Sequence, residues 1–259
     1  MSTFKGQSNL DGTQRPVVVN VCNFPAPVKD NPSLLSFENA VTLFHEFGHA
    51  MHGILTNVTY GSMAGTSGPR DFIELPSQLL EHWVSEPEVL KSFATHYKSG
   101  DTIEDELIEK LLKAAKFNQG FINTEYLAAS LLDMDWHTLS YKDAVNIPND
   151  FEKNSMNKIG LIDEIAPRYR STYFAHIFSG GYSSGYYSYI HSAVLDSDAF
   201  GAFKEVGDIF DPALSTKLRK HIYEKGSTED AMDLYVNFRG RKPIIAPLLK
   251  VRGLDGSSD

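Results

Sequence analysis

Apolar positions recur at helical spacing over most of this chain. After Ser36, Val41, Phe44, Phe47, Met51, Ile54 and Leu55 return every three or four residues, which gathers side chains on one face of an α-helix. Ser36 stands at the head of that run as an N-cap, with Glu38 in the first turn. A second helix is expected over residues 72–84, with Pro76 tolerable only in its first turn. Thr102 and Asp105 resemble a capping box opening a helix to about Asn118, and another helix follows over residues 121–139. Residues 140–165 carry no clear period. Residues 179–185 form a Gly/Ser loop leading into a tyrosine-rich helix. Asp211-Pro212 marks a turn, and Ser227 and Asp230 precede a last helix ending near Gly240.

Strand signals are few. Residues 16–24 are β-branched and short, with Cys22 inside them as a small apolar filler, and residues 57–63 are a second candidate. Pro25, Pro27 and Pro32 punctuate one loop, and Gly61, Gly65, Gly68 and Pro69 another. The polar residues 1–15 are expected to be a loose arm, and residues 254–259 a frayed end. There is no internal repeat and no linker. The pattern describes a single domain over 1–259, mainly α with a small β-sheet.

Composition narrows the function classes. In 259 residues, 42% are hydrophobic and 22% charged, an ordinary globular balance. No apolar run reaches the ~18 residues of a membrane helix, and no signal-like apolar segment follows Met1. One cysteine excludes a disulfide framework and a Cys-rich zinc fold. With 33 acidic against 24 basic side chains the net charge is -9, which argues against nucleic acid as the main partner. A cytoplasmic protein is expected, or a periplasmic one if a signal peptide preceded this sequence.

The chemistry concentrates in His45-Glu46-Phe47-Gly48-His49. Residues four apart share a helix face, so two imidazoles can grip one metal ion. Glu46, about 100° around the helix, reaches the open side of the ion, where it can take a proton from a water. This is the H-E-x-x-H signature of zinc metallopeptidases, and chance supplies roughly 0.02 such matches in a chain of this composition. Phe44 and Phe47 give the helix a buried side, where unpaired imidazoles would be costly. A catalytic zinc takes three protein ligands. His52 lies on the same rigid helix and cannot converge with His45 and His49, so it is assigned to packing or support. Glu74 and Glu81, seven residues apart on the next helix, are the candidates. One would ligate and the other would orient an imidazole N–H, and spacing alone does not choose between them.

A second cluster is tyrosine-rich. Tyr182, Tyr186 and Tyr189 are spaced i, i+4, i+7, a single stripe if the segment is helical. Such a stripe can be core packing. It can equally aim phenol donors, or an imidazolium, at an oxyanion that develops only in the transition state. Gly180 and Gly181 would allow close backbone approach.

HEFGHAMHG followed by GTSGPRDFIELPSQLLEHW resembles the thimet-oligopeptidase-like zinc metallopeptidases, most of all their bacterial dipeptidyl carboxypeptidase branch. The resemblance covers about residues 15–254. It implies a zincin-type catalytic domain with one Zn²⁺ held by His45, His49 and Glu74, and Glu81 supporting the ligands. It implies Glu46 as the catalytic base, and His176, Tyr182 and Tyr189 as groups that hold the substrate carbonyl. Gly181, Tyr186 and Arg70 would contact substrate, although Arg70 can also be a surface or structural ion-pair residue. The six-residue interval from His176 to Tyr182 matches the dipeptidyl branch. The expected substrates are unfolded oligopeptides that lose C-terminal dipeptides. The alternatives are an oligoendopeptidase of the same chemistry, or a peptide- or metal-binding module without turnover. Family members are more than twice as long, and their N-terminal helical lobe has no counterpart here. Apolar surface facing that lobe would promote self-association.

Overall fold

The computed structural model describes residues 1–29, 32–143 and 145–256. It is mainly helical, with one two-stranded antiparallel sheet among the described residues. Strand β1 (Ser2–Lys5) pairs with β2 (Val17–Val19) in the register Ser2 to Val19, with an irregularity between Thr3 and Lys5. The expected loose arm is therefore partly a strand, because Val17–Val19 offers it an edge. The expected strand over 16–24 shrinks to three residues and leaves Cys22 outside it. Val18 lies on Gly53, where an added Cβ would stand 2.9 Å from its Cγ1.

Helix α1 (Phe37–Leu55) begins at Ser36, whose hydroxyl accepts from Asn39 N while the Asn39 side chain accepts from Ser36 N. Its buried face differs from the one expected. Gly48, Ala50, His52 and Gly53 are buried, whereas Phe47 is exposed. The second strand candidate, residues 57–63, is irregular and ends in the 3-10 turn Gly61–Met63. The next helix is two, α2 (Arg70–Ile73) and α3 (Leu75–Val84), broken at Glu74. Pro76 sits in the first turn of α3, the one place in a helix where its missing N–H costs nothing.

Short α4 (Pro87–Phe93) leads to α5 (Asp105–Ala115). Thr102 does not cap α5; Glu104 precedes that helix, and Thr102 bridges to Thr95 instead. Helices α6 (Gln119–His137) and α7 (Pro148–Lys158) pack together, the second in a region without a clear sequence period. After α8 (Ala175–Phe178), helix α9 (Ser188–Val206) runs through the core. It is followed by α10 (Pro212–Leu218), capped by Asp211, and by a π-type segment, Arg219–Tyr223. Helix α11 (Ala231–Arg239) is capped by Asp230, not Ser227, and stops at Gly240 with φ +81. A further helix, α12 (Ala246–Val251), follows it. The expected frayed end lies partly outside the described residues.

The main core gathers Leu75 and Leu79 of α3, Leu195, Ala199 and Phe203 of α9, Ile222, and Leu234, Tyr235 and Phe238 of α11. Burial of this order, about 25 cal/mol per Å² of apolar surface, drives the assembly. Helix α3 is thus held between α1 and α9, so whatever chemistry α1 and α3 carry faces a rigid wall.

Candidate metal centre and adjoining cleft

Gly48 sets the spacing between α1 and α3. A Cβ there would lie 2.4 Å from Pro76 O and 2.6 Å from Ser77 Cα, so only glycine lets the two backbones come this close. The break at Glu74 then turns its side chain toward the two histidines. Glu74 Oε2 lies 3.4 Å from His45 Nε2 and 3.2 Å from His49 Nε2. One ligand atom from each of His45, His49 and Glu74 falls within 4.8 Å of the others. Ligands about 2.0–2.1 Å from a tetrahedral zinc are about 3.3 Å apart, so the two His–Glu separations fit a shared ion.

The two glutamates meet His45 at different ring nitrogens. Glu81 approaches the opposite nitrogen of His45, with Oε1 2.6 Å from Nδ1. That contact fixes the ring and leaves Nε2 directed at Glu74. Glu74 is only 3% exposed. Ser77 Oγ donates to its Oε2 at 3.1 Å, and Tyr182 OH to its Oε1 at 2.7 Å. Burial alone would raise the Glu74 pKa, but hydrogen bonds and charge from His49, then Tyr182 and His45, pull it down to about 2. Burial pushes His45 downward, yet the Glu81 hydrogen bond and the charges of Glu81, Glu74 and Glu46 win, and its pKa is raised. Glu46 stands apart from the three-residue cluster and forms an ion pair with the Met1 α-amino group. His52 is 1% exposed and meets Tyr223 edge-on, which makes it a packing residue.

The tyrosines are not one helical stripe. Tyr182 and Tyr186 precede α9, and only Tyr189 lies on it. They still meet, because the chain turns through Gly181 (φ +79) and Ser184 (φ +54). Tyr182 stacks on Tyr189 with centroids 5.2 Å apart, and Tyr186 meets Tyr189 at 5.7 Å. His176 lies 6.1 Å from Tyr182 and 5.6 Å from Tyr186. Tyr186 is 3% exposed and packs with Phe174 and Ile177, so it serves the core and floors the cleft. The Arg70 guanidinium sits 4.6 Å above the Tyr182 ring and beside Gly181, with no ion-pair partner among the described residues.

The titration tendencies suit neutral donors. Burial raises the pKa of Tyr182, and the Glu74 charge raises it further. Burial, then a hydrogen bond with Tyr182, raises that of Tyr189. Burial and the Arg168 charge lower the His176 pKa, so at neutral pH it is an imidazole and not the imidazolium considered from sequence.

A cleft of about 410 Å³ opens between His45, Glu81, His176 and Tyr189. Its lining also includes Tyr126, Arg168, Tyr169 and Arg252, which carry no motif spacing and escaped the sequence reading. Asp133 was also missed. Fully buried, it accepts the Ser184 and Tyr186 backbone N–H groups at 2.9 Å each and pairs with His137, which pins the tyrosine loop.

The comparisons with known proteins agree with this geometry. A profile described as Peptidase family M3 matches residues 1–254. The chain is 43% identical to "Dipeptidyl carboxypeptidase" of Escherichia coli (strain K12) over 256 residues, 98% of this chain and 37% of that protein. It is 36% identical to "Oligopeptidase A" of Haemophilus influenzae, covering 95% of this chain and 36% of the relative. It is 32% identical to "Thimet-like oligopeptidase" of Dictyostelium discoideum, covering 96% and 37%. The chain thus spans just over a third of the length of these relatives. Identity at this level over nearly every described residue, together with the profile match, means that the chain belongs to Peptidase family M3.

Proposed function

We propose that this chain is a zinc peptidase domain, acting as one unit over residues 1–259, that hydrolyses unfolded oligopeptides and releases C-terminal dipeptides. The observation that carries the reading is the convergence of His45, His49 and Glu74, with His45 also lining a cleft that holds the phenols of Tyr126, Tyr169, Tyr186 and Tyr189. Two imidazoles and one carboxylate are a donor set suited to a catalytic zinc. Zinc, when bound there, supplies polarisation of the scissile carbonyl and acidifies the attacking water.

The protein's own groups do the rest. Glu46 takes the proton from the water and passes it to the leaving amine. Glu81 holds the His45 ring through Nδ1. Tyr182 donates to Glu74, and Tyr189 bonds to Tyr182 in turn, a chain that steadies the ligand carboxylate. Tyr189 and His176 are then the donors aimed at the developing oxyanion, with Tyr182 joining as its bond to Glu74 is exchanged. Gly181, Tyr186 and Arg70 shape the wall along which the peptide lies. No helix among the described residues is long and apolar enough to cross a membrane. A cytoplasmic location belongs to the same reading.

The test is mass spectrometry of the products from one peptide, with its C-terminus free or amidated, after incubation with the zinc-loaded chain. Release of a dipeptide from the free form alone is expected. The Glu46→Gln variant should retain one zinc and lose turnover by about 10²–10⁴-fold, the usual weight of a general base. Normal turnover in that variant removes the base assignment. Cleavage of both peptide forms would favour the endopeptidase reading, which the relatives named oligopeptidase support. Zinc binding without cleavage would leave a peptide- or metal-binding module.

A further inference from the structure

Two arginines line the cleft that His45 also lines, and the charge of buried Asp196 acts on one of them, Arg252. Arg168 is exposed, and its backbone N–H donates to Glu125 O at 3.1 Å. Its guanidinium has no carboxylate in ion-pair range among the described residues. Arg252 caps the C-terminus of α12 and is half buried; its side chain donates to the neutral Asn123 Oδ1. Several other arginines meet acids directly, Arg170 with Glu152 and Arg239 and Arg241 with Asp198, whereas Arg70 sits on the Tyr182 ring. The one carboxylate among the described lining residues of the cleft, Glu81, is engaged by His45.

A guanidinium partly drawn out of water, as Arg252 is, pays desolvation that an anionic ligand can relieve. Burial pulls the Arg252 pKa down, against the raising effect of the Asp196 charge. The two guanidinium groups bracket one phenol, since both Arg168 and Arg252 act electrostatically on Tyr126. Tyr126 is itself fixed by its hydrogen bond to Tyr186 O. A forked set of N–H donors matches a carboxylate in geometry and charge. The same cleft is lined by His45 and Tyr189, beside which the scissile carbonyl belongs. Two extended residues span at most about 7 Å, and a cleft of about 410 Å³ suits a small ligand.

We infer that Arg168 and Arg252 bind the C-terminal carboxylate of the peptide, fixing the bond two residues before it at the metal cluster. The inference rests on the peptidase reading, and it makes these two arginines the residues that determine exopeptidase specificity. A carboxylate could also come from an acidic side chain, so the probes must separate the two sources.

Titration calorimetry on the zinc-loaded chain would use Ala-Ala, Ala-Ala-amide and Ala-Asp-amide. Ala-Ala is expected to bind at least 10-fold more tightly than either amide. Arg168→Gln and Arg252→Gln should each remove most of that preference, and Arg252→Lys should keep part of it, with zinc content and circular dichroism unchanged. Arg168 is exposed, so its variant tests the inference even if Arg252 variants fold poorly. Equal binding of acid and amide, no binding of either, or full preference in both glutamine variants overturns it. Tight binding of Ala-Asp-amide overturns the α-carboxylate assignment in favour of a side-chain carboxylate. Peptide hydrolysis, measured separately, tells the two readings apart. Acid preference without hydrolysis sinks the peptidase reading and supports the carboxylate site. Hydrolysis without acid preference sinks the carboxylate site alone.

Discussion

Glu74 and Glu81 carry the same group seven residues apart, and their surroundings separate what each can do. Glu74 is buried against both Nε2 atoms, whereas Glu81 is partly exposed and meets a single Nδ1. The histidines divide the same way. His45 and His49 face the cluster, while His52 is sealed inside with both ring nitrogens unpartnered among the described residues. Burial, then the neighbouring His49 charge, pushes the His52 pKa down to about 4. The folded protein therefore keeps this imidazole neutral to about pH 4, while the unfolded chain protonates it near 6.5. Below pH 6.5 the unfolded state binds more protons, so stability falls as pH drops from about 6.5 to about 4 and this contribution is flat below that. Each tenfold ratio is about 1.4 kcal/mol, which sets the ceiling of the loss at about 3.5 kcal/mol. In metal-free protein, urea midpoints of His52→Leu should fall less steeply over that interval than those of the unchanged chain. Identical slopes would mean that His52 is not the buried neutral group described. The motif residues were legible because their spacing encodes their geometry. Asp133, Arg168 and Arg252 were not, because only packing brings Asp133 of α6 under the tyrosine loop and Arg168 and Arg252 to the cleft.

At the scale of elements, α1 was readable from its period and its cap, and α6 from its apolar pattern. The break between α2 and α3 was not. A continuous helix over 72–84 satisfies the local pattern, and only the need to swing Glu74 toward two histidines on another helix gives the interruption a function. The tyrosine segment failed for the opposite reason. Its spacing imitates a helix, but Gly181 and Ser184 in the left-handed region and the two N–H bonds to Asp133 favour a folded loop. Gly48 shows how an unremarked position can govern an interface. Gly48→Ala forces a methyl against Pro76 O and Ser77 Cα. It should cost about 1–3 kcal/mol of stability as overpacking, and it should weaken zinc binding because α3 must retreat with Glu74. Gly201→Ala on α9 is the control. Nothing lies within 4 Å of its added Cβ, so it should gain up to about 1 kcal/mol from helix propensity and leave zinc affinity unchanged. Thermal melts and chelator competition read both quantities. Equal effects of the two substitutions would refute the close-approach argument.

Over the whole molecule, surface area departs from what a closed globule requires. The chain exposes 15177 Å², whereas accessible-area scaling gives about 11,400 Å² for 28.9 kDa. Part of the excess is apolar and organised. Phe121, Leu127, Leu131 and Met134 are each 39–45% exposed, and at 100° per residue they fall within about 140° of one face of α6. A second cavity of about 1380 Å³ opens between α3, α9 and α12, sharing Gln78, Glu81 and Arg252 with the cleft beside His45. The relatives are nearly three times as long as the stretch this chain matches, and an apolar helix face of this width is the kind of surface that further chain covers. With the 259 residues alone in solution, a second copy is the nearest cover. Sedimentation velocity should therefore show mass rising above 28.9 kDa as concentration increases. Leu131→Glu, which puts a charge at the centre of the α6 face without touching the core, should return the chain toward monomer while leaving zinc content and helicity intact. A monodisperse monomer at all concentrations, for both chains, would show that the α6 face is adequately solvated as it stands and that the excess surface reflects the open cavities alone.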